Sequence, residues 1–477
     1  MSRPNFRSSF FPMAHTSIAA SVAAVLSTAL LVSAASAQDP GPASVHVSSP
    51  ITAGAPGNDA NDFIFTMSGM DLAGHGYVEL EYFIEGTANR YTTGGLESGS
   101  VIDGPHPFRT RVVVRRPADS NRFNGTVVVE WNNVTAGNDL DIDWRQSGEH
   151  LMRNGYAFVG VSAQRVGVDH LREWSPTRYG SLDVTVGGTI EGDALSYDVF
   201  AAVAEAVREP KGADLFPGFE IERVFATGHS QSAGRLATYL NNVHPLHPVF
   251  DAIMVHGGGG QIRDDQEVKI FKIMAETDMA RRMGSRQPDS DSFRQWEVAG
   301  SSHVDIFFIW EGARVSAVSA GRSIATAVVR APTCDRPAAS RVPFRHTMNA
   351  AYDHMVRWVE EGSPPPTAPL LEAAPAGSDD PFARDEYRNA LGGIRLAAHA
   401  VPTATNTGMN SGSGFCGLYG SFEPFDAATV AALYPSHADY MAAVSEAVAA
   451  NFEAGYITAY DAAATIWEAE LSDIGGR

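Results

Sequence analysis

The sequence predicts an α/β fold whose central sheet is mostly parallel and flanked by helices, with antiparallel strands at its N-terminal side. Continuous apolar runs at 126–131 and 156–161 are typical of strands covered on both faces. Earlier stretches at 77–84 and 108–116 alternate polar and apolar residues, which favours antiparallel strands. Helical and strand-like patterns then alternate as far as residue 274, as expected for successive βαβ units.

Local hydrophobic patterns predict the remaining elements. Gly155 ends the predicted helix at 146–154, and the apolar residues of the predicted helix at 197–208 fall on one helical face. We expect the folded domain to span 63–477, with an insertion or a lid around 331–425 and a helical C-terminal segment at 426–474. The predicted helices are 146–154, 197–208 and 233–241, and the later predicted strands are 223–227, 250–255 and 270–274.

The composition excludes several classes of protein. Of the 477 residues, 44% are hydrophobic and 19% are charged, which is typical of a globular protein and not of disorder or a coiled coil. The formal net charge of −20 argues against a nucleic-acid partner, because phosphates require a basic surface. No metal-ligand spacing accompanies the cysteines, and we expect neither a metal nor a cofactor.

The first 37 residues have the order of a secretory signal peptide. Two arginines supply positive charge, an apolar run extends over Ile18–Val32, and Ala35-Ser36-Ala37 provides small residues at a cleavage site. A membrane anchor is the alternative, but the run is short and interrupted by Ser and Thr. We therefore expect an exported protein, periplasmic or secreted, without stable membrane insertion after cleavage, and with 38–62 as a leader into the fold.

Two cysteines, Cys334 and Cys416, lie in the C-terminal half of the chain. In an exported protein such a pair favours one disulfide, and two free thiols are the alternative. Closing so long a loop stabilises a fold by about 4 kcal/mol in the chain-entropy model. The enclosed residues could cover the cleft or pack behind the sheet.

Ser230 is the candidate nucleophile, in the segment Gly228-His229-Ser230-Gln231-Ser232. A serine is a weak nucleophile unless a base takes its proton and a sharp strand-to-helix turn exposes its hydroxyl. Such a turn requires small residues two positions before and after the serine, which Gly228 and Ser232 supply. Because Ser232 departs from the G-x-S-x-G pattern, the predicted strand before the turn and helix after it carry the inference. A serine that only caps a helix is the alternative.

The candidate acid and base follow in the order Ser, acid, His that the α/β-hydrolase fold uses. Glu276 and Asp278 come directly after the predicted strand at 270–274. Asp278 lies at the usual distance, Glu276 is its competitor, and two solvated loop acids are the alternative. His303 follows a short strand and a Gly-Ser loop, so that one ring nitrogen can face the serine while the other faces the acid.

The oxyanion hole requires two backbone N–H groups aimed at the developing negative charge. Gln231, the residue after the nucleophile, is expected to supply one of them. The other is expected from the loop after the first parallel strand, where Asn132 and Asn133 are the candidates. A purely structural turn at these asparagines is the alternative.

Three side chains are candidates for substrate binding. His229 is beside the nucleophile in sequence, so we expect it to point away from the turn and to line the cleft. Gln164 and Arg165 follow the predicted strand at 156–161, and Arg165 could clamp a carboxylate. A surface role for Arg165 is the alternative. His256 begins a glycine run that we expect to form a flexible turn.

With these motifs the chain resembles a bacterial family of long, mostly exported proteins known only as alpha/beta hydrolase domain-containing. The resemblance covers roughly residues 45 to 475 and implies the α/β-hydrolase fold with a serine hydrolase centre at Ser230 and His303. It implies little about the substrate, since a fold hosts many reactions. The matching segments are Gly76–Phe83, Val129–Asn133, Val161–Gln164, Gly228–Gly234, Ala275–Asp278, Glu297–Gly300, Trp358–Gly362 and Leu391–Arg395.

The sequence therefore predicts an exported serine hydrolase of the carboxylesterase type. It would form an acyl-enzyme on Ser230 with His303 as the base. The expected substrate is a small-molecule or carbohydrate-linked ester, and acetyl-xylan, aryl and glucuronoyl esters are all open. A catalytically silent binding protein of the same fold is one alternative, and C–C bond cleavage on the same residues is another.

Overall fold

The structure is a computed structural model that describes residue 41, residues 45–330 and residues 332–476. The predicted signal peptide, 1–37, lies outside the described residues. In the part of the chain that is described, no helix combines the length and the apolarity needed to cross a membrane.

A nine-stranded, mostly parallel sheet organises the chain. Its strands are β1 (Val45–Val47), β2 (Tyr77–Tyr91), β3 (Val101–Pro117), β4 (Thr126–Trp131), β5 (Ala157–Val161), β6 (Arg223–His229), β7 (Ala252–His256), β8 (Lys269–Ala275) and β9 (Phe293–Val298). They lie in the order β1-β2-β3-β5-β4-β6-β7-β8-β9. Neighbours from β5 to β9 are parallel, whereas β1, β2, β3 and β5 pair antiparallel.

This sheet confirms the predicted fold class, and it corrects one boundary. Residues 38–62 were expected to lead into the fold, but β1 lies among them and pairs with β2 through Val45 and Gly86. Part of the expected leader therefore forms the edge strand of the sheet. The backbone of the leader can do this because Val45 and Val47 alternate with an exposed residue and bury their side chains.

Helices cover both faces of the sheet. In the first half of the chain they are α1 (Ile142–Arg153), α2 (Arg165–Trp174), α3 (Pro176–Tyr179), α4 (Ser196–Arg208), α5 (Gln231–Thr238) and α6 (Glu276–Met279). In the second half they are α7 (Ile306–Ser319), α8 (Phe344–Glu361), α9 (Ala397–Ala400), α10 (Cys416–Tyr419), α11 (Ala427–Leu433), α12 (His437–Glu453) and α13 (Ala459–Leu471). A second, two-stranded sheet pairs β10 (Ala404–Thr407) with β11 (Ser421–Pro424).

Successive residues of the parallel strands enter two different cores. Val127 and Val129 of β4 belong to the core that contains α4, whereas Val128 belongs to the core that contains α1 and α8. Because side chains alternate across a strand, both faces of β4 are apolar and covered. This is the physical reason for the unbroken apolar runs in the sequence.

The segment 331–425 divides between the core and the support of loops. Its helix α8 buries Met348, Tyr352 and Met355 in the core shared with α1, so this part of the segment is integral to the domain. The predicted disulfide between Cys334 and Cys416 is confirmed, with 5.6 Å between the Cα atoms. The predicted helical C-terminal segment consists of α11, α12 and α13.

Candidate active site

The turn at Ser230 joins β6 to α5 and holds the serine in a left-handed conformation, with φ 62° and ψ −112°. The N–H of Ser230 donates to the carbonyl of His256 at 2.9 Å, which ties the turn to the neighbouring strand β7. A non-glycine residue with positive φ is strained and persists only where the surroundings enforce it. The fold therefore holds Ser230 in the sharp strand-to-helix turn that exposes a nucleophile.

Ser232 occupies the position at which the familiar motif has a second glycine. Its side chain is buried, and its hydroxyl donates to the carbonyl of His229 at 2.9 Å. A Cβ atom on Gly228 would lie 3.3 Å from the Cβ of Ser232, which is tight. The turn accommodates the extra hydroxyl because the opposite flank is a glycine and the hydroxyl has a backbone acceptor.

Asp278 and His303 lie on the loops after the neighbouring strands β8 and β9, and they contact each other directly. His303 Nδ1 lies 2.5 Å from Asp278 Oδ1, and both side chains are buried. The other oxygen of Asp278 accepts the N–H of Ala275 at 2.8 Å, and the His303 N–H donates to the Thr277 hydroxyl. With Nδ1 engaged by the carboxylate, Nε2 is the ring atom left to act on a proton.

Burial alone would disfavour the charged form of Asp278. The charge of His303 and hydrogen bonds from His303 and Ala275 outweigh that effect, so the pKa of Asp278 lies below its ordinary value. The carboxylate is therefore ionised at neutral pH, as the partner of a histidine base must be.

Glu276 is directed away from this pair. Its carboxylate accepts N–H groups from Gly300 at 2.7 Å and Gly408 at 3.1 Å, and it binds Arg384 at 2.8 Å. Burial raises the pKa of Glu276 despite these partners. The two carboxylates that sequence reasoning left open thus have different partners: Asp278 contacts His303, and Glu276 joins the β8 loop to the segment 331–425.

His229 lies beneath the surface, with 1% of its area exposed. Its ring contacts those of His303 and His256 in tilted arrangements, with 4.2 Å between ring centroids in each pair. Burial lowers the pKa of His229 well below its usual range, and the two neighbouring histidines act in the same direction. The expectation that His229 lines the cleft is therefore corrected: a neutral His229 packs under His303.

The loop after β4 does not use its asparagines in the expected way. The backbone N–H of Asn132 donates to Val161 and that of Asn133 to Leu140, so neither is free for an oxyanion. The Asn133 amide instead donates to the His229 carbonyl at 2.8 Å and accepts the N–H of Thr135 at 2.8 Å. Asn133 thereby joins this loop to the Ser230 turn.

Two other backbone groups are candidate donors for an oxyanion. Among the described residues, the N–H groups of Gln231 and Val134 have no hydrogen-bond acceptor. Gln231 is the residue expected from the sequence, and Val134 directly follows the two asparagines that were expected. Val134 was not evident in the sequence because the use of the Asn133 N–H depends on the bridge between Asn133 and Leu140.

Ser230 lies on an open cleft of about 940 Å³. Its hydroxyl makes no hydrogen bond with the described residues. The glycine run after His256, which we expected to form a flexible turn, supplies part of the wall of this cleft. The lining residues are Thr135, Ser230, Gln231, Gly234, Gly259, Gly260, Gln261, Arg281, Arg282, Gly284 and Ser285.

Gln164 and Arg165, predicted to bind substrate, are not among these lining residues. Gln164 is buried, accepts the indole N–H of Trp131 at 3.1 Å and donates to Asp193 at 3.1 Å. The Arg165 side chain is about half exposed and pairs with Asp169 on its own helix at 3.1 Å. Sequence reasoning missed Arg281 and Arg282, whose one signal is that they closely follow Asp278.

A comparison of the sequence with known families agrees with the α/β architecture of the sheet and its helices. The family described as "Alpha/beta hydrolase domain" matches residues 47–467. The chain belongs to this alpha/beta hydrolase domain family. The match confirms the resemblance found in the sequence. Although three histidines lie together at the site, no metal-binding group of His, Cys, Asp or Glu occurs among the described residues.

Several solved structures are similar to this member of the alpha/beta hydrolase domain family. An α/β serine hydrolase without a lid from Xanthomonas campestris is 16% identical, with 49% of this chain and 93% of that chain covered and a TM-score of 0.28. A dienelactone hydrolase from Anabaena variabilis is 13% identical, with 48% and 94% covered and a TM-score of 0.27.

A carboxylesterase from Lactobacillus plantarum is 10% identical, with 40% of this chain and 72% of that chain covered and a TM-score of 0.24. At these identities and TM-scores the similarities carry no argument about substrate or reaction. No curated protein matches the chain.

Proposed function

We propose that the protein is a serine hydrolase that cleaves carboxylic esters through an acyl-enzyme. The observation that carries this proposal is the hydrogen bond between Asp278 and His303 beside a serine held in a left-handed strand-to-helix turn. The ring of His229, the residue before Ser230, lies 4.2 Å from that of His303, and this supports a shared site for Ser230 and His303.

In the proposed reaction the Ser230 hydroxyl attacks the ester carbonyl while His303 Nε2 takes its proton. Asp278 orients His303 and stabilises its positive charge. The N–H groups of Gln231 and Val134 hold the oxyanion, and His303 then gives its proton to the departing alcohol. Water attacks the acyl group with His303 again as the base, which releases the acid and restores Ser230.

Labelling with a fluorophosphonate probe tests the proposal, because the probe reacts with activated serines. We expect labelling of the wild type, none of Ser230→Ala, and retained labelling of Ser232→Ala, whose hydroxyl is committed to the His229 carbonyl. An unlabelled wild type would contradict the proposal and favour a silent binding protein. Labelling without hydrolysis of simple esters would favour C–C bond chemistry on the same residues.

We also propose that the protein is exported. The Cys334–Cys416 disulfide supports this, because disulfides persist in oxidising compartments outside the cytoplasm. The expected mature chain begins at Gln38, after the predicted cleavage site. The mass of the protein from the periplasmic or culture fraction tests this prediction. A mass that includes residues 1–37 would contradict the proposed export and cleavage.

A further inference from the structure

We propose that the substrate is an ester bearing a carboxylate, held by Arg281 and Arg282 in the cleft of Ser230. The inference rests on the proposed hydrolase function and names the class of substrate. Its basis is the charge of the cleft wall, which differs in sign from that of the whole chain.

The cleft carries positive charge without any opposing acid. Both arginines line it with Ser230, and none of its described lining residues is Asp or Glu. The chain as a whole has 55 acidic residues and 35 Lys or Arg residues. A wall with two guanidinium groups and no carboxylate is therefore a local reversal of charge, and in a concave site such a reversal attracts anions.

Neither arginine has a side-chain partner among the described residues. The side chains of Arg281 and Arg282 make no ion pair and no hydrogen bond with the described residues. Arg286, a few residues farther along the same loop, binds Glu297 at 2.6 Å, and Arg235 in α5 binds Asp193 at 2.8 Å. Within the described part of the chain, these two arginines beside the cleft are paired with acids, whereas the two on its wall are unpaired.

The loop that carries the arginines is ordered by its own hydrogen bonds. The N–H of Arg282 donates to Met279 at 3.0 Å, and the Arg282 carbonyl accepts both the N–H and the hydroxyl of Ser285 at 2.8 Å. The loop begins at α6, which Glu276 joins to Arg384. The two guanidinium groups thus project from an anchored turn, which limits the entropy lost when they bind a ligand.

A buried lysine adds to the positive charge beneath the cleft. Lys272 of β8 donates to the carbonyl of Gly260, a lining residue, at 2.8 Å. Burial lowers the pKa of Lys272 to about 8, and the charge of Arg282 acts in the same direction while Glu297 opposes it.

A carboxylate is the group that this arrangement fits. Guanidinium groups bind carboxylates through two parallel hydrogen bonds, with charge as well as geometry in their favour. The same cleft contains the nucleophile, so a carboxylate bound there belongs to the molecule whose ester is cleaved. The Arg165 clamp expected from the sequence is thereby replaced by two arginines after β8.

Matched esters test the proposal on the full-length mature protein. Monomethyl adipate and methyl hexanoate differ by a carboxylate on the acyl side, and 4-acetoxybenzoate and its methyl ester differ on the alcohol side. We expect the ratio of kcat/KM, anionic over neutral ester, to exceed ten in one of the pairs. In the double variant Arg281→Gln/Arg282→Gln that ratio should fall at least tenfold.

Arg322→Gln is the matched control, because Arg322 is exposed, has no ion pair among the described residues and does not line the cleft. It should keep the wild-type ratio. Ratios near one in both pairs, or a ratio unchanged in the double variant, would overturn the carboxylate proposal while leaving ester hydrolysis intact.

Binding gives a readout that does not need turnover. Calorimetry on the Ser230→Ala protein should show binding of adipate or of 4-hydroxybenzoate. That binding should become at least tenfold weaker when Arg281 and Arg282 are also replaced by Gln. Failure of the proposed hydrolase function would abolish turnover of all four esters but leave this binding in place. If neither carboxylate binds, the present inference is overturned.

Discussion

The loops after β5 and after β8 are alike in position and differ in what their polar side chains contact. Each loop places polar residues at the carboxyl edge of a buried parallel strand. After β5, Gln164 and the backbone of Arg165 bind Asp193, which also binds Arg235. After β8, Asp278 binds His303, and the arginines that follow line the cleft. Position at the edge of a sheet therefore identifies candidates, and the partner on another element decides their role.

Two carboxylates, Asp278 and Asp193, give the largest expected difference between these loops. Asp278→Asn should lower kcat about 10⁴-fold, because His303 loses the charge that orients it and stabilises its protonated form. Asp193→Asn should lower Tm and change kcat less than tenfold. Ester hydrolysis and thermal unfolding measure both effects. Equal losses of kcat in the two variants would remove the distinction between the loops.

The second prediction concerns the disulfide, which lies in the segment 331–425 that contacts the His303 loop. Cys416 lies in α10, where the carbonyl of Leu418 accepts the N–H of Val304, the residue after His303, at 2.9 Å. Replacing both cysteines by Ser should lower the free energy of unfolding by about 4 kcal/mol in the chain-entropy model. Urea unfolding measures the loss, and Cys416→Ser alone should give nearly the same value. A stability equal to that of wild type would contradict the prediction.

Glu276 separates structural support from catalysis within the β8 loop itself. Glu276→Ala leaves Arg384 and the N–H groups of Gly300 and Gly408 without their acceptor, which should cost about 3 kcal/mol of unfolding free energy. The folded fraction should keep its kcat within tenfold of wild type. A loss of kcat as large as that of Asp278→Asn would show that Glu276 has a direct part in the reaction.

The smallest expected effect concerns acid stability. The pKa of Asp278 is lower in the folded protein, so the unfolded chain binds more protons at low pH. The stabilisation is present above about pH 5 and is lost as the pH falls below the ordinary value of about 4. Asp278→Asn should therefore lose less stability on acidification than wild type. Unfolding between pH 3 and pH 6 measures this, and parallel pH profiles would contradict it.

Sequence reasoning identified the elements and the residues whose signals are local. The apolar runs located β4, β5, β6 and β8 within one or two residues, because covering both faces of a strand leaves few polar positions. Ser230 and His303 were proposed from the loops on which the sequence pattern put them. The choice between Glu276 and Asp278 stayed open, since both follow the same strand and only contacts with Arg384 and His303 separate them.

The misassigned residues share a cause, which is that distant partners occupy their functional groups. The N–H of Asn133 is used by Leu140, Gln164 is held by Asp193, and the ring of His229 is covered by His256 and His303. None of these partners is close in sequence to the residue it engages, apart from the loop that returns to Asn133. A local pattern contains no information about them.

The sequence by itself determined the α/β fold class, the order of Ser230, the acid pair and His303, and the pairing of the cysteines, because each depends on local hydrophobicity, on chain order or on composition. The tertiary structure decided which acid contacts His303, which backbone donors stay free and which arginines line the cleft. These depend on the distance between groups far apart in the chain, and the folded sheet with its packed loops sets that distance.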